Sequence, residues 1–326
     1  MKPKLLVLEL WALGDLALAS PFLQAAVKQY DVTLLGKSTA RELQPWFWPE
    51  VKVVEYSFPW TAFRRKYALY SWPWKGLMRL VGGLRTERFD VAISARWDPR
   101  DHFLMFLTGA RKRVGFPRLG SRVFLSLALP HPGAEAHRYE YWRRAAETLE
   151  ITLPEKTPYR NKSCKGGPVA IHCGAGQKTR VWPLERYAVI VTRLREMGFK
   201  PEIICDADQV SWWRAHGEET VVPSSLGELI QELKKAALFV GNDSGPGHLA
   251  ASLGVPTFTI FGNQVPSRFS PLNEKSQWVE GHACQFKPCY DNCRFNEPEC
   301  LKKVAVEEVI PKLESFVSES LSVREN

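Results

Sequence analysis

Hydrophobic and polar positions follow two patterns along the chain, one typical of buried strands and one typical of amphipathic helices. Nearly continuous apolar runs over residues 4–10, 169–173 and 238–242 predict strands that are covered on both faces, as in a parallel sheet. Over residues 184–197 and 226–237, apolar side chains recur with helical spacing. Strands that alternate with helices predict the α/β class, in doubly wound parallel sheets.

This alternation occurs twice, in two halves that a polar stretch separates. Residues 1–156 form the first series, residues 157–168 read as a linker, and residues 169–326 form the second series, ending in a helix. A chain of 326 residues with 45% hydrophobic content can build two cores. We therefore predict two Rossmann-like domains that face a central cleft, where a ligand binds.

The overall charge and the first residues narrow the class of protein. A net charge of +9 favours anionic partners, which include nucleotides, phosphorylated lipids and nucleic acid. Glu9 and Asp15 interrupt the apolar stretch at the amino terminus, which a secretion signal does not tolerate well. The long apolar run over residues 236–266 contains Asp243 and His248, so it does not predict a membrane span. We expect a cytoplasmic protein that docks on a membrane surface.

Residues 56–89 break the alternating pattern with clustered basic and aromatic side chains. The basic residues are Arg64, Arg65, Lys66, Lys75, Arg79, Arg85 and Arg88, against a single acid, Glu87. Such a segment favours an interfacial or acceptor-binding surface over a core element. Arg96, Arg100 and Arg113 extend the same basic surface. The alternative is a solvated, charged face that keeps the protein soluble.

The strongest local signal for chemistry is a turn between a buried strand and a short helix. It contains Asp243, Ser244, Gly245, Gly247 and His248. The glycines let backbone N–H groups approach a phosphate, and the helix N-terminus favours negative charge there. A simple pair of helix caps is the alternative, but one cap residue would suffice for that role.

Two further loops follow strands in the same way. The loop after residue 173 carries Gly174, Gly176, Lys178 and Arg180, which suits a diphosphate and lacks the spacing of a P-loop. The turn that contains Gly14 and Asp15 follows the first strand, and its carboxylate is either a helix cap or a catalytic group.

Four of the seven cysteines lie close together near the carboxyl end. They are Cys284, Cys289, Cys293 and Cys300. Four thiols in so short a stretch can hold a structural zinc ion or an iron–sulfur cluster. Disulfides or free thiols are the alternatives, and the spacing is not that of a standard pair of metal ligands.

Three segments together resemble the ADP-heptose:lipopolysaccharide heptosyltransferases, glycosyltransferase family 9. They are LLVLELWALGDLALASP over residues 5–21, GAGQKTRVWP over residues 174–183, and FVGNDSGPGHLAASLGVPTFTIFG over residues 239–262. Weaker matches, FDVAISARWDPRDHFLMFLTGARKRVGF and the segment from His137 to Glu140, extend the resemblance along nearly the whole chain in the family's order. The resemblance implies the GT-B fold, with the acceptor on the first domain and the nucleotide sugar on the second.

The resemblance also implies roles for the residues of these segments. Asp15 would be the catalytic base beside the acceptor hydroxyl, with Gly14 at the acceptor. The donor would contact Gly174, Gly176, Lys178, Arg180, Asp243, Ser244, Gly245, Gly247 and His248. The family usually has Lys where this chain has Arg180, and Arg keeps the charge.

The implied reaction is an inverting transfer onto the inner core of lipopolysaccharide, with no cofactor or metal needed for the chemistry. The partners would be an ADP-sugar donor, a phosphorylated glycolipid acceptor and the inner face of the cytoplasmic membrane, and not nucleic acid.

Three other functions fit parts of the sequence. A family 9 enzyme could use another sugar donor, or an acceptor outside lipopolysaccharide synthesis, and a GT-B epimerase would share the fold. A non-catalytic protein that binds nucleic acid or anionic membranes would explain the basic segment, but not the two loops at the second sheet.

Overall fold

The computed structural model describes residues 2–61, 68–133, 135–158, 166–289 and 291–321. The chain forms two compact units, Met1–Pro154 and Glu155–Asn326. In the described residues, each unit is built around one parallel six-stranded sheet with helices between its strands. This confirms the predicted α/β class and the pair of Rossmann-like folds.

In the first unit, the strand order is β3-β2-β1-β4-β5-β6. The strands are β1 (Lys4–Leu8), β2 (Asp31–Gly36), β3 (Lys52–Glu55), β4 (Val91–Ser94), β5 (Lys112–Gly115) and β6 (Leu127–Ala128). The helices are α1 (Leu13–Ala26), α2 (Ser38–Phe47), α3 (Trp74–Thr86), α4 (Pro99–Leu107) and α5 (Arg138–Glu147). β1 lies in the centre, which explains why its sequence, KLLVL, is almost entirely apolar.

The second unit repeats this arrangement with the order β12-β11-β10-β7-β8-β9. The strands are β7 (Val169–His172), β8 (Pro201–Ile204), β9 (Thr220–Val221), β10 (Leu238–Asn242), β11 (Thr257–Phe261) and β12 (Ser276–Glu280). The helices are α6 (Leu184–Glu196), α7 (Val210–Ala215), α8 (Leu226–Lys235), α9 (Gly245–Ser252), α10 (Pro266–Phe269), α11 (Glu299–Lys302) and α12 (Val306–Leu321).

Strand order identifies where a ligand would bind in each unit. The chain moves outward in one direction from β1 to β2 and in the other from β1 to β4. The same reversal occurs at β7 and β10. In open α/β sheets, ligands bind at the carboxyl ends of the strands beside such a reversal. The loops that follow β1 and β4, and those that follow β7 and β10, are therefore the candidate sites.

The aromatic residues of the 56–89 segment contribute to the core of the first unit, contrary to the prediction of a purely surface role. Phe58 and Trp60 are buried, and their ring centroids lie 4.6 Å apart. Trp72 stacks next to Trp60 at 5.4 Å, and α3 packs its apolar face on the same cluster. Aromatic rings can bury large areas in the core while the charged ends of neighbouring Lys and Arg side chains stay in water.

Some of that segment does remain on the surface. Large apolar side chains of Tyr70, Trp74 and Met78 are exposed, next to the exposed Lys75 and Arg79. Arg64, Arg65 and Lys66 lie outside the described residues. No helix in the described part of the chain has the length and apolar character that crossing a membrane requires.

Candidate active site

Asp15 lies in the first turn of α1, directly beyond the carboxyl end of the central strand β1. Ala12 occupies the N-cap position, so the expectation that Asp15 caps this helix is wrong. A carboxylate in the first turn still gains from the positive end of the helix dipole. Its Oδ1 lies 3.6 Å from Nε of Arg138, and its side chain is 21% exposed. Asp15 is therefore anchored and also reachable from solvent.

Arg138 is held in an aromatic enclosure. Its Cζ lies 4.4 Å from the ring centroid of Trp11, 4.7 Å from that of Trp97 and 4.9 Å from that of Tyr141. Stacking of a guanidinium on aromatic rings is favourable, especially where water is excluded. Because the side chain is almost fully buried, the guanidinium has a fixed position from which to orient Asp15.

Glu9 is a further carboxylate of this site, and the sequence prediction gave it no role there. It follows β1 and is buried, with Oε1 accepting the N–H of Trp11 at 3.1 Å. Its Oε2 is also buried and has no hydrogen-bond partner in the described residues. Burial, and next the charge of Asp15, raise the pKa of Glu9 to about 7, against the opposing effect of Arg96 and Arg138.

We expect the stability of the protein to depend on the ionisation of Glu9. Its pKa is raised from 4.5 to about 7 on folding, so the folded chain binds this proton more tightly than the unfolded chain does. The resulting stability is present below pH 4.5 and is lost as the pH rises through about 7. Glu9→Gln should therefore reduce the fall in unfolding free energy between pH 5 and pH 8, by on the order of 1–3 kcal/mol.

Denaturant unfolding of the parent and of Glu9→Gln at both pH values measures this effect. Glu50→Gln is the control, because Glu50 is an exposed carboxylate of the same unit. Parallel pH dependences for the parent and Glu9→Gln would contradict the assignment.

The three arginines predicted to extend an acceptor surface make internal contacts. Arg96 is 1% exposed, and its Nη1 lies 3.1 Å from Oδ2 of the buried Asp101. Arg100 makes two hydrogen bonds to Asp98, at 2.8 and 2.7 Å. Arg113 donates to two backbone carbonyl oxygens. The burial of Arg96 removes it from any exposed basic surface, while Arg100 and Arg113 remain partly exposed and Gly14 lies half-buried in the first turn of α1.

In the second unit, the side chain of Asn242 joins the loops that follow β7 and β10. Its Nδ2 donates to the carbonyl oxygens of Cys173 at 2.8 Å and Gly174 at 3.3 Å. Its Oδ1 accepts the backbone N–H of Trp182 at 3.0 Å and the hydroxyl of Tyr187 at 2.8 Å. Asn242 is fully buried, so the amide needs these partners and the loops cannot separate without losing them.

Arg180 is the charged centre of this site. It donates through Nε and Nη2 to both carboxylate oxygens of Asp291, at 2.7 and 2.6 Å. Its Nη1 lies 3.1 Å from Oδ2 of Asp243. Asn263 also donates to Asp291, at 3.1 Å. Two predicted donor residues, Arg180 and Asp243, are thus in contact, and the edge of the guanidinium best suited to a phosphate already holds Asp291.

The turn after β10 brings several backbone and side-chain donors together. Ser244 occupies the N-cap position of α9, and its buried hydroxyl has no hydrogen-bond partner among the described residues. Gly245 and Gly247 lie in the first turn of α9, and His248 is buried. A Cβ at Gly247 would lie 3.3 Å from Cε1 of Phe239, so a larger residue would crowd this turn. Backbone N–H groups at such a helix start favour an anion.

The loop after β7 carries the other predicted donor residues. Gly176 and Lys178 are exposed. Gly174 is buried, and a Cβ there would lie 2.3 Å from Oδ2 of Asp206. The contact with Asp206 therefore explains why glycine is required at Gly174.

Two acidic residues that the prediction missed belong to this site. Asp206 follows β8 and accepts the backbone N–H of Ala175. Its place at the carboxyl end of a strand was a signal that could have identified it. Asp291 lies 111 residues from Arg180 in the chain, in the cysteine-rich loop, and no local pattern points to their contact.

The four clustered cysteines line one small cavity, with Asn263 and Glu299 among its other residues. The cysteines Cys284, Cys289, Cys293 and Cys300 are free thiols. In the part of the chain that the structure describes, no group of three or more His, Cys, Asp or Glu side chains is arranged to hold a metal ion. The expected structural zinc therefore gains no support.

Comparisons with known proteins identify the family of the chain. The model of glycosyltransferase family 9 (heptosyltransferase) matches residues 77–298. Lipopolysaccharide heptosyltransferase 1 of Campylobacter coli is 30% identical over 133 residues, which cover 36% of this chain and 36% of the relative. The matched region thus spans about a third of the length of this curated relative.

Solved structures share the fold over almost the whole chain. The E. coli ADP-heptose lipopolysaccharide heptosyltransferase II superimposes with a TM-score of 0.72 at 17% identity, covering 98% of this chain and 100% of that one. E. coli heptosyltransferase WaaC with ADP-2-deoxy-2-fluoro heptose gives a TM-score of 0.73 at 18% identity, over 96% and 99% of the two chains.

Proposed function

Because the chain belongs to glycosyltransferase family 9 (heptosyltransferase), we propose that it transfers a heptose, or a related sugar, from an ADP-sugar to the inner core of lipopolysaccharide. The observation that carries this proposal is the contact of Arg180 with Asp243, since it joins the two donor loops at the carboxyl edge of the second sheet. The relative WaaC has been solved with an ADP-heptose analogue, which supports the choice of donor.

The first unit supplies the base for the transfer. The acceptor hydroxyl attacks the anomeric carbon while the bond from that carbon to the diphosphate oxygen breaks. The carboxylate of Asp15 takes the hydroxyl proton, and the diphosphate leaves with the bonding electrons. A positioned base of this kind contributes roughly 10²–10⁴-fold to the rate. Arg138 is a positioning residue here, because its enclosed guanidinium fixes the direction of the carboxylate.

The second unit stabilises the charge that grows on the leaving diphosphate. Arg180 acts as a fixed cation whose position Asp291 and Asp243 set, and its positive charge stabilises the negative charge that develops on the leaving diphosphate. Lys178 is exposed and supplies a second cation. The hydroxyl of Ser244 and the first backbone N–H groups of α9 complete the donor site. We expect these cations and N–H donors to serve the leaving diphosphate without a metal ion.

Asp206 is proposed to bind the ribose hydroxyls of the nucleotide. A carboxylate at the end of a strand next to the phosphate loop is well placed for this contact, as in Rossmann folds generally. Burial raises the pKa of Asp206, with the charge of Asp208 adding to the effect.

The acceptor is proposed to be a phosphorylated glycolipid, bound by the basic segment over residues 56–89. The protein would then work in the cytoplasm, on the inner face of the cytoplasmic membrane. The exposed rings of Tyr70 and Trp74, together with the exposed cations of α3, suit the headgroup region of a lipid layer.

We expect replacement of Arg64, Arg65 and Lys66 with Ser to raise the KM for the acceptor and to leave donor affinity unchanged. Each lost cation weakens the attraction to acceptor phosphates and to anionic vesicles, and screening by salt should shrink the difference. Steady-state kinetics at low and high salt measure it. A triple variant that handles acceptor and vesicles like the parent at low salt would show that this segment is not the acceptor surface.

Transfer assays test the whole proposal. Purified protein is given an ADP-heptose donor with and without a lipopolysaccharide core acceptor, and the glycosylated product is measured by mass spectrometry. Donor turnover that needs no acceptor would point to an epimerase instead. Thermal stabilisation by ADP, GDP and UDP sugars ranks the nucleotides, because a ligand stabilises the fold according to its affinity. Preference for GDP or UDP would reject the proposed donor.

A further inference from the structure

A group of exposed apolar side chains lies on the first unit, outside the candidate active site. Phe103 and Phe106 on α4 are 45% and 47% exposed. Leu119 and Val123, in the turn that follows β5, are 83% and 76% exposed. We refer to these four residues as the α4 patch. Single exposed apolar residues are common on protein surfaces, but a group drawn from two adjacent elements indicates a binding surface.

The α4 patch is built into the fold. The ring of Phe124 contacts both phenylalanines, with centroids 5.2 Å from Phe103 and 5.8 Å from Phe106, so it joins the turn to α4. The buried hydroxyl of Ser121 accepts the N–H of Arg118 at 3.0 Å and lies 2.8 Å from Nδ1 of His102. These contacts fix the turn on both sides of Leu119.

The backbone of Leu119 gives an independent sign that its position matters. Its φ is +50°, in the left-handed region that side chains other than Gly, Asn and Asp rarely adopt. The side chain is 83% exposed, so packing in the core does not compensate for this strain. Strained residues that persist on a surface are concentrated at functional sites.

Positive charges outnumber negative ones in the part of the sequence that carries the α4 patch. Residues 99–130 contain six Lys and Arg residues, namely Arg100, Arg111, Lys112, Arg113, Arg118 and Arg122. The one acid in that stretch, Asp101, is fully buried against Arg96. Two of the cations, Arg100 and Arg111, pair with Asp98 and Asp90 outside the stretch. Arg118 and Arg122 flank Leu119 and are exposed, and Cζ of Arg113 lies 5.6 Å from the ring of Phe106. Apolar side chains among cations are complementary to anionic headgroups above a hydrocarbon layer.

We propose that the α4 patch inserts into an anionic lipid bilayer and holds the enzyme at the surface that carries its acceptor. This inference rests on the proposed function for the reason to be at a membrane, but it assigns the contact to specific residues. A nucleic acid would meet the arginines equally well. However, the rings of Phe103 and Phe106 are only about half exposed and pack on Phe124. The two most exposed residues, Leu119 and Val123, are aliphatic and offer no flat ring on which a base can stack. Insertion into a bilayer is favourable for them, because burial in hydrocarbon removes their apolar surface from water.

Co-sedimentation of the full chain with vesicles tests the proposal. The parent should co-sediment with vesicles rich in phosphatidylglycerol. With vesicles of phosphatidylcholine alone, it should stay in the supernatant. The double variant Leu119→Ser, Val123→Ser should partition at least about tenfold less, because it loses two inserted apolar side chains. Arg118→Gln and Arg122→Gln should each reduce binding by about fivefold, and only at low salt.

Matched controls separate the α4 patch from general surface effects. Val189 and Val222 are 46% and 41% exposed on the second unit, and their double replacement with Ser should leave vesicle binding unchanged. Equal binding of the Leu119→Ser, Val123→Ser variant and the parent would overturn the proposal. Equal binding of the parent to both kinds of vesicle would also overturn it. The same holds if the α4 patch is needed for binding to an oligonucleotide and not for binding to vesicles.

A second readout distinguishes this proposal from the proposed function. Transfer to a water-soluble acceptor, with its acyl chains removed, should be unchanged in the Leu119→Ser, Val123→Ser variant, whereas transfer to acceptor in vesicles should fall. A parent that binds vesicles through the α4 patch, yet transfers sugar neither to the soluble acceptor nor to acceptor in vesicles, would support the docking surface and contradict the proposed function.

Discussion

Asp15→Asn is expected to lower the turnover number for sugar transfer by about 10²–10⁴-fold, the usual contribution of a positioned general base. The substitution keeps the size of the side chain and removes the group that accepts the proton. Affinity for the nucleotide sugar should stay within about twofold of the parent value, because the proposed donor residues all lie in the second unit. Steady-state kinetics give the first quantity, and calorimetric titration with ADP gives the second.

Asp31→Asn is the matched control for this experiment. Asp31 is a carboxylate of the same unit, at the amino end of β2, where it pairs with Lys52 at 3.1 Å. Its replacement changes the net charge by the same amount. Asp31 lies at the amino ends of the strands, whereas Asp15 lies at their carboxyl ends. Transfer by Asp15→Asn at the parent rate would rule out Asp15 as the base.

Arg180→Ala is expected to weaken ADP binding by about 10–100-fold and to lower the unfolding temperature. A charge-assisted hydrogen bond between ionised groups contributes roughly 1.5–3 kcal/mol, which sets the size of the effect on affinity. The loss of stability follows because the variant leaves the carboxylates of Asp243 and Asp291 facing one another without their shared cation. Calorimetry and thermal unfolding measure the two effects.

Two further variants show whether Arg180 binds phosphate or only maintains the site. Asp291→Asn keeps the cation and removes one of its anchors, so ADP affinity should fall much less than in Arg180→Ala. Arg195→Ala removes an exposed cation that pairs with Glu218 elsewhere in the unit, and should leave ADP affinity unchanged. Unchanged ADP affinity in Arg180→Ala would reject the proposed diphosphate site.

The sequence predicted the central elements of both sheets because the physics of those elements is local. A strand covered on both faces must be largely apolar, and every residue of β7, β10 and β11, and all but the first residue of β1, is buried. The edge strand β12 was missed, because its sequence mixes Gln277 and the exposed Trp278 with a single buried valine. Its pairing with β11 makes it a strand, and no pattern within it reports that pairing.

The basic and aromatic segment shows the limit of composition as evidence. Its charge suggested a surface, yet Phe58 and Trp60 pack in the core of the first unit. Alternation of rings and cations is compatible with both outcomes, since only the ring needs to be buried. Which rings turn inward depends on α3 and on the remaining apolar surface of the sheet, and that information is not local to the segment.

The site was predictable where function and local structure coincide. Loops after central strands carry Asp15, Arg180 and Asp243, and sheet topology alone brings the last two to one edge. The partners that fix these side chains were not predictable. Arg138 and Asp291 come from distant parts of the chain, and their contacts depend on the tertiary packing of loops.

The buried amide of Asn242 has a thermodynamic consequence for ligand binding. Its four hydrogen bonds order the loops that follow β7 and β10 when the protein folds, independently of any ligand. Loops that are already rigid lose little conformational entropy when a ligand binds them, whereas flexible loops lose much. On the proposed function, the nucleotide would therefore meet a preorganised set of N–H donors, and the entropic cost of ordering these loops falls on the folding of the second unit.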